Sequence, residues 1–342
     1  MNRNTVNILI GLVIGVFFLW LSVRNVDFQE LRLYVNQMSY GWILPYFVLA
    51  TFSFWLRAER WRLIVETDTP QVKRANLFSG VMFGYLTNYA VPRLGEITRS
   101  VYVARKEGMS KSNVFGTVVL ERVIDLVAIF LMVTVVVFFV ASDRETFSAL
   151  FGPQATGIID DFRSWQGLMI LAAIFSLSAV FFWRFVKFVL GKRPLEADDD
   201  SKEEVNPFFR IIYTFTDGFT AIRKLKKWPL FVFYTVVMWL TYALMSYVPF
   251  YAFSMTTEFG LGFTEAFVVM TISTIGVVLP SPGALGTYHW FVKQTLLVIY
   301  LVPAVTGLAY AFITHAAMLM VVLILAPICW LWQEFAFSNN EL

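Results

Sequence analysis

Three charged side chains that could do chemistry lie inside a long apolar run. They are Glu121, Arg122 and Asp125. Asp125 lies four residues after Glu121 and three after Arg122, so all three can share one flank of a helix. A charge near the centre of a bilayer costs about 2.5–3.5 kcal/mol on insertion scales, so the three need partners. They predict either a buried ionic network or the lining of a polar cavity, and both can hold together.

A second group of charges follows a helix break. The apolar segment 77–91 is short for a membrane span, and Pro92 and Gly95 then stop the helix and let the chain turn. Charges follow within the turn and the returning segment. We predict that the arginines hold a phosphate and that the carboxylates position them or bind a cationic headgroup. The arginines are Arg93, Arg99 and Arg122, and the carboxylates are Glu96, Glu121 and Asp125.

A second break of the same kind occurs in the other half of the chain. Segment 263–279 ends in Pro-Ser-Pro-Gly-Ala-Leu-Gly at 280–286, and 290–302 is apolar again. We predict re-entrant hairpins at 77–105 and 263–302 that enter from opposite faces as an inverted repeat and meet near the midplane. Two alternatives stay open: both segments span fully, which gives eight spans, or the Pro-Gly breaks are alike by chance.

Histidines and a lysine accompany the second break. His289 and Lys293 are four residues apart and are predicted to face the cavity; the alternative is that they anchor the chain at the outer lipid headgroups. His315, in the last apolar run, is either a hydrogen-bonded histidine or a proton relay. With two histidines and one cysteine in the sequence, we expect no metal site, no disulfide within the chain and no cofactor.

The composition defines the class of protein that must position these residues. Of 342 residues, 58% are hydrophobic and 15% are charged, which excludes an ordinary soluble enzyme and a disordered chain. We predict an all-α polytopic membrane protein with six full spans and no nucleic-acid partner. The first span is expected to be an uncleaved signal anchor. The spans are 8–23, 42–56, 114–141, 167–188, 229–253 and 304–332.

The basic residues predict the orientation. Among 27 lysines and arginines, only Arg24, Arg32, Arg144 and Arg163 fall on the outer side of the six-span arrangement. Both termini are therefore expected in the cytoplasm, with the protein in the inner membrane. We predict one transmembrane domain whose halves, 1–190 and 229–342, flank a charged linker and amphipathic helix at 191–228. Tryptophans and arginines at 55–62 are interpreted as an interfacial belt without chemistry.

Three ordered motifs resemble those of a known family. They are N-Y-A-V-P-R-L-G-E-I-T-R at 88–99, E-R-V-I-D at 121–125 and P-S-P-G-A-L-G at 280–286. They resemble the flippase-like membrane family that includes the transmembrane half of lysylphosphatidylglycerol synthases. Ala284 stands where that family usually has a second glycine, and His289 stands near a frequent glutamate. The residues that break the hairpins are Asn88, Pro92, Gly95, Pro280, Pro282, Gly283 and Gly286.

The resemblance implies that a lipid or lipid-linked sugar moves between leaflets. The alternatives are a membrane-embedded lipid-modifying transferase and a non-transporting scaffold for such an enzyme. Membrane lipids, a lipid-modifying enzyme and further copies of the chain are the expected partners. We expect no aminoacylation of lipid, because the chain has no room for the soluble synthase domain.

Overall fold

The computed structural model describes residues 3–24, 26–67, 71–142, 225 and 227–338, and every regular element in this part is helical. The predicted span 167–188 and nearly all of the linker at 191–228 lie outside it. The helices are α1 (Arg3–Val23), α2 (Phe28–Gln37), α3 (Ile43–Val65), α4 (Arg74–Ala90), α5 (Leu94–Lys106), α6 (Lys111–Ser142), α7 (Trp228–Ala252), α8 (Met255–Glu258), α9 (Phe263–Val278), a 3₁₀ turn (Pro282–Ala284), α10 (Thr287–Tyr300) and α11 (Ala304–Ser338).

Two of these helices are long and apolar enough to cross a bilayer, namely α7 and the Ala304–Glu334 part of α11. A third span results if α1 and α2, which meet at a bend of 85°, are counted together. Helices α3 and α6 are also long, but each carries several charges within its apolar sequence. The described part of the chain is thus all-helical, with two or three helices that could span a membrane, and the count of six spans stays a prediction.

The chain divides into two compact units, residues 1–115 with 226–342, and residues 116–225. In the first unit, α3 packs against α7 and α4, and α11 packs against α10, α4 and α2. The same unit contains two pairs of adjacent, sequential helices, α4 with α5 and α9 with α10. These pairs coincide with the two segments that the sequence marks with Pro-Gly breaks.

The first pair is a closed helical hairpin. At its tip, the side-chain oxygen of Asn88 accepts a hydrogen bond of 2.7 Å from the backbone N–H of Gly95. At its base, the carboxylate of Glu107 accepts from the backbone N–H of Lys73 at 3.2 Å and from the side-chain amide of Asn76. The two ends of the hairpin are therefore joined to each other, and its re-entrance into a membrane stays a prediction.

Replacing Gly95 by alanine is expected to loosen this hairpin. A Cβ at Gly95 collides with the carbonyl oxygen of Gly84 and comes within 2.6 Å of Asn88 Cγ, so α4 and α5 must separate. Overpacking of this kind costs about 1–3 kcal/mol, which should appear as a lower melting temperature in detergent. Gly41→Ala is the control, because its Cβ meets only Ser39 Oγ at 3.8 Å. Equal melting temperatures for the two variants would contradict the close packing.

The second pair is also a helical hairpin, with a longer and more irregular tip. Its first helix starts where the backbone N–H of Gly262 donates to Glu265 at 2.7 Å. In the tip, the hydroxyls of Ser281 and Thr287 hydrogen-bond each other at 2.9 Å. The backbone N–H of Gly286 donates to His289 Nδ1 at 3.2 Å, which caps the start of α10.

Candidate functional site

The two hairpin tips touch each other. Helix α4 packs against the 3₁₀ turn of the second hairpin. Tyr89 and Gly283 are in close contact, since a Cβ added to the glycine collides with the tyrosine ring and lies 3.2 Å from its Cγ. The absence of a side chain at Gly283 therefore allows the tyrosine ring to lie directly on the backbone of the other tip.

Helix α1 runs along both tips and joins them. A Cβ at Gly11 would lie 2.9 Å from the carbonyl oxygen of Pro280 and 3.1 Å from Pro92 Cγ, so this one position faces both hairpins. One turn later, a Cβ at Gly15 would lie 3.3 Å from the carbonyl oxygen of Leu285. The spacing of Gly11 and Gly15 is the small-x₃-small pattern of tightly packed membrane helices, a signal in the sequence that the predictions did not include.

Lys293 holds the end of α1 to the second hairpin. Its ammonium donates to the carbonyl oxygens of Leu21 and Ser22 at 3.0 and 2.7 Å, and the residue is 5% exposed. The last carbonyls of a helix have no partners within it and carry partial negative charge, so a lysine satisfies them well. The structure thus places Lys293 in a helix-capping role in addition to its position beside the tip.

Lys293→Met is expected to weaken the attachment of α1. The variant keeps most of the side-chain volume but leaves two carbonyl groups without their donor, which costs about 1.5–3 kcal/mol for hydrogen bonds to a charged group. Thermal unfolding in detergent measures the loss. Arg24→Met serves as the control, since Arg24 lies at the same helix end but is exposed. A loss of stability that is the same in both variants would argue against the capping role.

Histidine and tyrosine rings cluster beside the joined tips. The rings of His289 and His315 stack with centroids 4.8 Å apart and planes inclined by 18°. Tyr288 and Tyr89 contact His315 at centroid distances of 5.6 and 5.9 Å. We call these four side chains the His–Tyr cluster. Within the described part of the chain, no group of three or more His, Cys, Asp or Glu residues is arranged to hold a metal ion.

The charges of the first hairpin point in different directions. Arg93 is exposed at the tip and adopts a left-handed backbone conformation, φ 64° and ψ 0°, which is strained for a residue with a side chain. Arg99 is 3% exposed, and its guanidinium lies 4.9 Å from the ring centroid of Trp61 in a cation–π arrangement. Glu96, which lies between these two arginines in the sequence, is half-buried. Of Arg93 and Arg99, Arg93 is therefore the one that is accessible for binding.

The interpretation of residues 55–62 as an interfacial belt is wrong for most of that segment. Trp61 and Arg60 are fully buried, and Arg57 is 4% exposed and donates to the Tyr242 hydroxyl at 3.2 Å. The reason is tertiary: α3 packs against α4 and α7, so these side chains face protein. Trp55, at 40% exposure, is the member that fits the belt.

In the second compact unit, the described part of α6 carries the remaining charges. Glu121 is fully buried and Asp125 is 5% exposed. The side chain of Arg122 is 40% exposed, with its guanidinium 3.8 Å from the Asp125 carboxylate. The side chain of Arg122 is thus less buried than the sequence predicted. A meeting of this trio with the hairpin charges stays a prediction.

Comparison with known proteins identifies the family. The profile described as "Lysylphosphatidylglycerol synthase TM region" matches residues 8–326, which is nearly the whole chain. The chain belongs to this family. It is similar to the UPF0104 membrane protein MJ1595 of Methanocaldococcus jannaschii, with 26% identity over 129 residues. That match covers 37% of this chain and 38% of the relative. No solved structure gives a significant match.

One departure from the motifs of the lysylphosphatidylglycerol synthase TM region family has a visible backbone consequence. Ala284, which stands where the motif resemblance expects glycine, is held at φ 60°, next to Gly283 at φ 53°. A left-handed conformation is easy for glycine and costs other residues about 1–2 kcal/mol. The turn geometry of the second tip thus explains why glycine suits both positions.

Proposed function

We propose that this protein moves a lipid, or the polar headgroup of a lipid-linked molecule, from one leaflet of the inner membrane to the other. It does so as a six-span protein with cytoplasmic termini, and its two hairpins enter from opposite faces. The observation that carries the proposal is the direct contact between two Pro/Gly-broken helical hairpin tips, Tyr89 against Gly283. The match of nearly the whole chain to a family of transmembrane regions supports the location in a membrane.

The lengths of the hairpin helices support a site inside the membrane. Helix α4 has 17 residues and α9 has 16. At about 1.5 Å per residue they reach roughly 24–26 Å, less than a hydrocarbon core of about 30 Å. Broken backbone at such depth is stable only where protein or water satisfies it. Two such tips in contact therefore favour a polar passage between the leaflets, as in transporters built from inverted repeats.

Arg93 is the side chain best placed to meet a headgroup. It is exposed at the tip of the first hairpin, and its guanidinium can bind two phosphate oxygens at once. Arg99, packed on Trp61, fixes the returning helix that presents Arg93. The carboxylate of Glu96 then balances the arginines or accepts a cationic headgroup, while the acyl chains stay in the lipid.

The test is leaflet transfer by the purified protein in liposomes. Vesicles carry a fluorescent anionic phospholipid, a membrane-impermeant quencher reports the outer leaflet, and extracted lipids are analysed for new products. Transfer without a product supports the proposal. A modified lipid supports a transferase. If neither transfer nor a modified lipid is seen and a lipid-modifying enzyme co-purifies, a scaffold is supported. Protein-free vesicles and vesicles with an unrelated helical membrane protein set the background.

A further inference from the structure

The stacked histidines connect directly to the backbone of the second tip. His289 is 1% exposed, and its Nδ1 accepts the backbone N–H of Gly286 at 3.2 Å. A backbone N–H can only donate, so this ring nitrogen carries no proton, and a neutral ring holds its proton on Nε2. Adding a proton at Nδ1 would place two donors face to face and break the bond. Protonation of His289 and capping of α10 are therefore mutually exclusive.

The same glycine is bound to α1. The carbonyl oxygen of Gly286 accepts from Ser22 Oγ at 3.3 Å, and its backbone at φ 80° lies against Gly15 and Leu19 of α1. The tip that His289 caps is also the tip that contacts Tyr89 of the first hairpin. Losing the cap thus acts on a tip that contacts both α1 and the first hairpin.

The surroundings disfavour a charged imidazole while the tips are packed. Burial penalises the charged form, and two imidazolium rings 4.8 Å apart would repel each other, so the pair accommodates one proton at most. Lys293, one turn beyond His289, adds a further positive charge. Among the described residues, the titratable groups beside the pair are Tyr89 on α4 and Tyr288 and Lys293 on α10, and next to these lie Tyr46 on α3 and Tyr310 on α11.

We propose that His289 and His315 form the proton-binding site that couples proton uptake to lipid transfer. The structure is the unprotonated state with packed tips. A proton taken up by His289 breaks the bond to Gly286 and releases the second tip from α1 and Tyr89. Because the proton binds the released state better, acid shifts the population toward it. This inference rests on the proposed function, since it names the coupling ion of that transfer.

Distance measurements between the tips test the inference without any transport assay. Spin labels are attached at the exposed positions Leu94→Cys and Leu285→Cys in a Cys329→Ser background, and the distance distribution is recorded at about pH 7.5 and about pH 5. We expect one short distance at the higher pH and an added longer population at the lower pH. An unchanged distribution would overturn the inference.

Two variants of one residue sharpen the test. His289→Asn keeps an acceptor near the position of Nδ1 that does not take up a proton, so it should hold the short distance at both pH values. His289→Ala has no acceptor, so it should show the longer distance already at about pH 7.5. An Asn variant that opens in acid, or an Ala variant that stays closed, would contradict the mechanism.

Histidine NMR and the vesicle assay complete the design. The sequence has two histidines, so ¹⁵N-histidine labelling of protein purified without a histidine tag reports only the pair. His289 Nδ1 should change from unprotonated to protonated over the range in which the distance changes. If the tips respond to pH but no lipid is transferred, the proposed function fails and the proton site stands. If lipid is transferred and neither distances nor histidines respond to pH, the proton site alone fails.

Discussion

Replacing Arg93 by glycine is expected to cut the rate of leaflet transfer of an anionic lipid while leaving the protein as stable as before, or slightly more stable. The glycine suits the left-handed conformation at φ 64°, so the backbone strain is relieved. The guanidinium that would bind the headgroup is lost. A hydrogen bond to a charged group contributes about 1.5–3 kcal/mol, which corresponds to about 10- to 100-fold in rate when it is made in the transfer step.

Two further variants separate charge from position. Arg93→Lys keeps the positive charge and should retain part of the transfer rate. Arg105→Gln removes an exposed arginine near the base of the same hairpin and should leave the rate unchanged. Vesicle assays give the rates and thermal unfolding gives the stabilities. An Arg93→Gly protein that transfers lipid at the wild-type rate would remove Arg93 from the site.

The largest loss of stability is expected for Gly286→Ala. A Cβ at this position collides with the carbonyl oxygen of Gly15 and comes within 2.6 Å of the Leu19 nitrogen, so α1 must move away from the tip. Overpacking costs about 1–3 kcal/mol, and a side chain at the positive φ of 80° adds a strain of about 1–2 kcal/mol. Together these terms are large for a membrane protein of marginal stability, and we expect a clear drop in melting temperature and yield.

Gly260→Ala is the matched control for that variant. Gly260 also has a positive φ, 66°, but nothing lies within 4 Å of its added Cβ. Both variants place a Cβ at a positive φ, and they differ in the collision with α1. Equal destabilisation would mean that strain alone matters at Gly286 and that α1 does not pack on the tip as the structure has it.

The positions of the two hairpins could be predicted from the sequence, because proline and glycine affect the backbone locally. Pro92 lies in the break between α4 and α5, and residues 280–286 lie in the break between α9 and α10. Gly95, which the sequence predicted among the breaking residues, instead lies inside α5 and allows α4 to pack closely against it. Helix α9 spans Phe263–Val278, within one residue of the predicted segment 263–279. The bounds of α9 therefore followed from local rules and from the length of its apolar run, whereas α3 (Ile43–Val65) continues past the predicted end of span 42–56.

The contacts between helices could not be predicted from the sequence in the same way. Residues 55–62 satisfy the usual pattern of an interfacial belt, yet Arg60 and Trp61 are buried because other helices pack over them. Arg122 lies in an apolar helix like its neighbours, yet its side chain is 40% exposed. Burial depends on which helices meet, and the sequence of one helix does not contain that information.

The contribution of α1 lies between these cases. Gly11 and Gly15 carry the small-x₃-small signal, so close packing on this face could have been predicted. The element that packs on this face of α1 could not have been predicted, because the spacing identifies a face and not the element that covers it. The same holds for His289, whose bond to Gly286 depends on the shape of the tip.

If the joined hairpin tips carry the lipid headgroup, a reversible lock between them should stop and restart transfer. A Cβ at position 283 lies 3.2 Å from Tyr89 Cγ, so the cysteines of a Tyr89→Cys, Gly283→Cys, Cys329→Ser protein can reach each other. Leaflet transfer is measured in vesicles with the thiols reduced, then oxidised, then reduced again. We expect transfer in the reduced protein, its loss on oxidation and its recovery on reduction. Transfer that proceeds equally in the locked and unlocked protein would show that the headgroup does not pass between the tips.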